Sequence, residues 1–222
     1  MRLPIPLLKT SAAACAVVLG LLSTASPGNA QTIIDDWSKV TVPAAPALKP
    51  VTVDAKTTAF LVLDFNGAQD PTKGPCNSNT KPRCLASVPK VQAALEAARK
   101  AGVYVVYSLA GNATPADIAT AIAPGPDDPV VKSGPDKFVG TDLGKLLEAK
   151  GIKTVIVTGT AAEGAVLNTG ADAALRGMNV ILPVDGMSST ELYAEQYVAW
   201  HFTHAPGVSA KTTLTEFSQM KF

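Results

Sequence analysis

Asp64, Lys132 and the segment Gly159–Ala165 each follow an apolar run, and their types could carry chemistry. A lysine beside a carboxylate holds it ionised, whereas burial pushes it towards the protonated form. An Asp64–Lys132 pair in one cleft would therefore be tunable for proton transfer. Spacing alone leaves open the alternative of a structural ion pair at a strand end, because such pairs also perturb titration. Ser108–Asn112 and Asp185 follow two further apolar runs and join the set. Cys76 and Cys84 flank a short polar stretch, with no histidine or third cysteine nearby, so a disulfide is expected there rather than a metal site. His201 and His204 lack the carboxylate or cysteine neighbours of a ligand set, and no metal or other cofactor is expected.

The elements that must position these residues alternate. Thr58–Leu63 is continuously apolar, as in a central strand covered on both faces. A helix is expected over Val88–Ala101, with Val91, Ala94, Leu95 and Ala98 on one face and Gly102 after it. Val103–Ser108 reads as a strand, Pro115–Ile122 as a short helix and Val130–Val131 as a short strand. A helix opens at Thr141, Thr154–Thr158 is a buried strand, and a helix runs from Gly159 through Arg176. Asn179–Pro183 is the next strand, then a helix from Thr190 to about Phe202, then a last strand near Val208–Lys211. This alternation predicts a doubly wound α/β fold with a mostly parallel sheet, whose ligands lie beyond the carboxyl ends of the strands.

The first thirty residues have the layout of a secretory signal peptide: Arg2 and Lys9, an apolar run Ala12–Leu22 too short to span a bilayer, then small residues to Ala30. Three parts are expected: a signal peptide over 1–30, an extended arm over 31–56 rich in proline, and one domain over 57–222. Periplasmic or secreted localisation follows from the first. The remaining ~190 residues are enough for one core without metal or several disulfides. The formal charge of +1 is spread without a basic stripe, which argues against a nucleic-acid partner. Nothing after the leader is long and apolar enough to cross a membrane as a helix, and the expected partner is a small molecule.

Phe60–Asn66 (FLVLDFN), Val130–Lys132 with Phe138 and Gly140–Leu143, Val155–Thr169 (VIVTGTAAEGAVLNT) and Val184–Gly186 resemble the isochorismatase-like hydrolases, relatives of the nicotinamidases. The resemblance runs from about Thr58 to Phe217. It implies a three-layer fold on a six-stranded, mostly parallel sheet and, in the amidase branch, an aspartate–lysine–cysteine triad. Asp64 falls on the aspartate, Lys132 on the lysine and Ala165 on the cysteine, and a methyl group cannot be a nucleophile. The resemblance further implies a cis peptide between Thr160 and Ala161, with the N–H groups of Ala161 and Ala165 as an oxyanion hole, and self-association. The family's metal-binding amidases carry an aspartate and histidines where this chain has Ser108–Asn112. The family's glutamine two residues after the aspartate is Asn66 here.

Three readings follow. One is an exported hydrolase acting through Asp64 and Lys132 on a small, carboxylate-bearing substrate without a cysteine nucleophile. Isochorismatases, which open a vinyl ether by protonation, carry a small residue at that position. The others are an inactive small-molecule-binding protein on the same scaffold, and an engineered cysteine-to-alanine amidase. Glu163 reads as an acid in the first turn of a helix, favoured by the dipole.

Overall fold

The computed structural model describes residues 32–222, and the expected signal peptide lies outside them. The described residues divide at Val42/Pro43 into two units. The first holds a helical turn, α1 (Ile33–Asp36), and a 3₁₀ turn, Trp37–Lys39. In α1 Thr32 and Asp35 form a capping box, each side chain serving the other's backbone.

From Pro43 the chain forms a three-layer α/β domain. Its strands are β1 (Val51–Thr52), β2 (Thr58–Leu63), β3 (Tyr104–Leu109), β4 (Val130–Lys132), β5 (Thr154–Thr160), β6 (Asn179–Pro183), β7 (Met187–Ser188), β8 (Thr212–Thr215) and β9 (Met220–Lys221). The main sheet runs β4-β3-β2-β5-β6-β8, every neighbour pair parallel, with β7 pairing the end of β5. The helices are α2 (Pro82–Lys100), α3 (Leu143–Ala149), α4 (Leu167–Leu175) and α5 (Leu192–His204). None of the described helices is long and apolar enough to cross a membrane.

All six residues of β2 are buried, because its alternate side chains feed two cores. Ala59, Leu61 and Leu63 pack with Leu143 and Leu147 of α3, Ala173 and Ala174 of α4, and Val198 and Phe202 of α5. Phe60 and Val62 pack on the other face with Val91, Leu95 and Ala98 of α2. Gly170 lets α4 approach α5 closely: a Cβ there would come within 2.7 Å of the Phe202 ring.

Several boundaries differ from the sequence expectation. The helix expected at Val88 begins at Pro82, a residue pre-organised for the first helical position, and it tolerates Pro89 in its second turn. Cys84 is thus helical. Pro115–Ile122 forms two 3₁₀ turns, Pro115–Asp117 and Thr120–Ile122, instead of one helix. Ser209–Lys211 is likewise a 3₁₀ turn, and the last sheet strand is β8, which follows it. The expected extended arm is helical over Ile33–Lys39, and from Pro43 on it belongs to the folded domain. The Lys49 N–H donates to the Leu214 carbonyl, and β1 pairs with β9 in a separate two-stranded sheet. The folded unit therefore starts before residue 57.

Candidate active site

The carboxyl ends of β2, β3 and β5 meet at Asp64, the residue that leaves β2. Its φ of +57° lies in the left-handed region, where a non-glycine residue is uncommon. Its N–H continues the ladder to the Ser108 carbonyl on β3, at 3.2 Å. Both carboxylate oxygens are engaged: the Ser108 hydroxyl donates to Oδ1 at 2.6 Å, and the Lys137 ammonium donates to Oδ2 at 2.7 Å. Asp64 is 4% exposed, and Ser108 and Lys137 are 0% exposed.

The lysine at Asp64 is therefore Lys137, and the expectation for Lys132 needs correction. Lys132 ends β4, the edge strand of the sheet, and β alternation turns it away from buried Val131. Its side chain is exposed and donates to the Ala113 carbonyl at 3.2 Å. Lys137 lies five residues on, in the loop that returns from the edge strand across the strand ends. Its ammonium also donates to the Gly134 carbonyl at 2.8 Å and the Ser133 carbonyl at 3.4 Å. Its N–H donates to the Thr169 hydroxyl on α4 at 3.1 Å, and its carbonyl accepts from the Thr141 hydroxyl. The adjacent Phe138 is buried against the α3–α4 core and anchors the loop.

Asp64 titrates above the ordinary carboxylate range. Removal from water is the largest cause and disfavours the charged form, while the Lys137 charge and the hydrogen bonds from Lys137 and Ser108 pull partly back. The result is a buried acid held in one orientation by two donors.

Gly159 opens the turn after β5. A Cβ there would lie 2.5 Å from the Leu63 carbonyl, so the close approach of β5 to the end of β2 requires glycine. The Thr160–Ala161 peptide is cis. The next residues, Ala162–Val166, form a π-helical turn that runs into α4, with the Val166 N–H donating to the Ala161 carbonyl at 3.4 Å. Ala165 is 3% exposed and packs with Leu63 and Phe138 in the same core. One helical turn on, on the same face, Thr169 holds Lys137. Glu163 is exposed in the first turn.

Asn66, 2% exposed, clamps the loop after β3. Its Oδ1 accepts from the Ala110 N–H at 3.0 Å, and its Nδ2 donates to the Ala110 carbonyl at 3.4 Å. A cleft of about 540 Å³ opens between the loops after β2 and β3, lined by Asn66, Gly74, Pro75 and Ala110–Ala113 among others. Cys76 and Cys84 are joined by a disulfide with an S–S distance of 2.03 Å.

The remaining candidates lie elsewhere. Asp185 accepts from the Phe217 N–H at 3.0 Å and from Lys90 at 3.2 Å, tying the C-terminal segment to α2. His204 stacks on Trp200, and its Nδ1 contacts the Trp200 carbonyl. Among the described residues, no group of three or more His, Cys, Asp or Glu side chains is placed to hold a metal ion.

Residues 58–213 match the isochorismatase domain. The chain belongs to the isochorismatase-like hydrolase family. A similar protein is the streptothricin hydrolase of Streptomyces noursei, 29% identical over 181 residues. That match takes in 77% of this chain but 63% of the relative's length. Among solved structures, a cysteine hydrolase from Pseudomonas syringae pv. phaseolicola 1448A superposes with a TM-score of 0.64 at 20% identity, over 80% of this chain and 96% of the other. N-carbamoylsarcosine amidase from Thermoplasma acidophilum gives 0.60 at 22% identity, over 72% and 96%. At these identities the family's structures speak to the shared fold.

Proposed function

We propose that this family member is an exported hydrolase that opens a small, carboxylate-bearing substrate by proton transfer from Asp64, without a covalent intermediate on the enzyme. The observation that carries this reading is the buried Asp64 carboxyl, raised by desolvation and fixed between Ser108 and Lys137. A group that keeps its proton beyond the usual carboxylate range is suited to general-acid work nearer neutral pH. Ala165, on the same face of the helix start, offers no nucleophile.

An enolpyruvyl ether suits such a site. Asp64 gives its proton to the terminal methylene carbon, and the resulting oxocarbenium ion takes up water. The water proton returns to Asp64, and the hemiketal collapses to pyruvate and an alcohol. Lys137 balances the carboxylate left behind and keeps it in register, and the Ala161 and Ala165 N–H groups at the helix start serve as donors to the alcohol oxygen as it leaves the hemiketal. The amide-hydrolase names among the similar proteins extend the substrate class to other small molecules with a hydrolysable bond. Export rests on the leader-like first thirty residues.

The test is pyruvate release from enolpyruvyl ethers by wild-type protein, Asp64→Asn and Lys132→Ala. Asp64→Asn should lose at least about a hundredfold in kcat, in line with removal of a general acid, while Lys132→Ala retains most activity. Undiminished turnover in Asp64→Asn defeats the proposal.

A further inference from the structure

Where the ladder between β2 and β3 ends, a side chain continues it. The last backbone rung is the Asp64 N–H donating to the Ser108 carbonyl at 3.2 Å. The positive φ of Asp64 then turns the chain away from the extended path of the strand. Two residues further along both segments, the Asn66 side chain meets the Ala110 backbone. Its Oδ1 accepts from the Ala110 N–H at 3.0 Å, and its Nδ2 donates to the Ala110 carbonyl at 3.4 Å. A carboxamide carries the same donor and acceptor as a peptide group, and here it stands in for one.

The main chain of Asn66 ties the other wall. Its carbonyl accepts from the Cys76 N–H at 3.1 Å, and a Cβ on Gly74 would come within 2.8 Å of that same oxygen. On either side of Asn66, the Gly67 N–H donates to the Asp117 carbonyl at 2.8 Å, and the Ala119 N–H donates to the Phe65 carbonyl at 3.2 Å. Asn66, Gly74, Pro75, Ala110 and Asp117 all line the cleft of about 540 Å³. One buried residue thus joins the loop after β2 to the loop after β3. We propose that Asn66 is a positioning residue for the substrate, acting through Ala110 to hold Ala110–Ala113 in place against Gly74 and Pro75. A wall already ordered in the free protein need not be ordered on binding, so the clamp favours affinity. Asp64 keeps Ser108 and Lys137 as partners with or without it, so the proton step is left alone. This inference rests on the reading of Asp64 as the reaction centre, which Ser108 joins to the same loop two residues before Ala110.

Steady-state kinetics of pyruvate release from an alkyl enolpyruvyl ether, together with NMR amide exchange of the substrate-free proteins, tests it. Asn66→Ala should raise KM about tenfold and keep kcat within about threefold of wild type, the mark of binding lost equally from ground and transition states. The alkaline midpoint of the pH profile should stay at its wild-type position. Asn66→Gln, which keeps the carboxamide on a side chain one methylene longer, should recover part of the affinity. The Ala110 amide should exchange at least about tenfold more slowly in the wild type than in Asn66→Ala. An unchanged KM in Asn66→Ala overturns the assignment. So does a fall in kcat at constant KM, which marks a residue that only supports the fold. An Ala110 amide that exchanges in the wild type as fast as an unstructured one overturns it as well. Exchange is read without substrate, so the clamp and the role of Asp64 as acid can fail separately.

Discussion

At the residue scale the site depends on which lysine meets Asp64. Lys137 is fully buried and bonded to one carboxylate and two carbonyls, so truncating it strands a buried acid and two acceptors. Lys137→Met should destabilise the protein by about 3 kcal/mol, the usual scale for breaking a buried pair from one side, as read by urea unfolding at neutral pH. Exposed Lys132→Ala should change stability by less than about 0.5 kcal/mol. The reverse order would return Lys132 to the site. The sequence makes Asp64 legible because it ends a six-residue apolar run and so must lie at the carboxyl edge of a central strand. It misleads on the lysine. Lys132 ends a visible strand, while Lys137 lies in a loop whose path no periodicity reports. The available signal was its place directly before Phe138, a large apolar residue in a polar stretch, which marks where the loop turns inward.

At the element scale, the loops after β2 and β3 line the cleft, and the turn after β5 packs against the end of β2. The α2 helix and the disulfide-closed segment before it contact the far side of the site: Pro75 accepts from Thr160, Arg83 grips Glu195, and Lys81 donates to Thr190. Replacing both Cys76 and Cys84 by serine frees this segment in the unfolded chain and should lower stability by about 2–3 kcal/mol in the chain-entropy model. Urea unfolding of the double variant checks this, and stability equal to wild type would deny the bridge a structural role. The parallel strands were readable because continuous apolar runs suit strands covered on both faces. The start of α2 was not, because the polar residues before Val88 carry no helical periodicity and Pro82 reads equally as a turn. The two-residue strands β1, β7 and β9 are too short for any pattern to reveal them.

At the scale of the whole molecule, the parallel sheet brings an acid from β2, a hydroxyl from β3, a loop after β4 and a helix start after β5 to one edge. This convergence follows from strand order, and the family's domain match covers the same span. The N-terminal arm and the C-terminal segment close the domain by pairing β1 with β9, a contact between distant parts of the sequence that no local pattern foretells. The folded Asp64 carboxyl holds its proton more tightly than the unfolded one. Its contribution to stability is therefore full below the unfolded value of about 3.9 and is lost as pH rises through the folded value. The same titration governs the chemistry, since a general acid works only while protonated. The decisive measurement is the pH profile of kcat/KM set beside a carbon-13 NMR titration of the Asp64 carboxyl in the free protein. Activity should fall on the alkaline side with the midpoint of that carboxyl, above the ordinary carboxylate range, and both midpoints should move to higher pH in Lys137→Met. A carboxyl titrating at or below the ordinary range, or activity that rises as Asp64 loses its proton, would contradict the assignment of Asp64 as the proton donor.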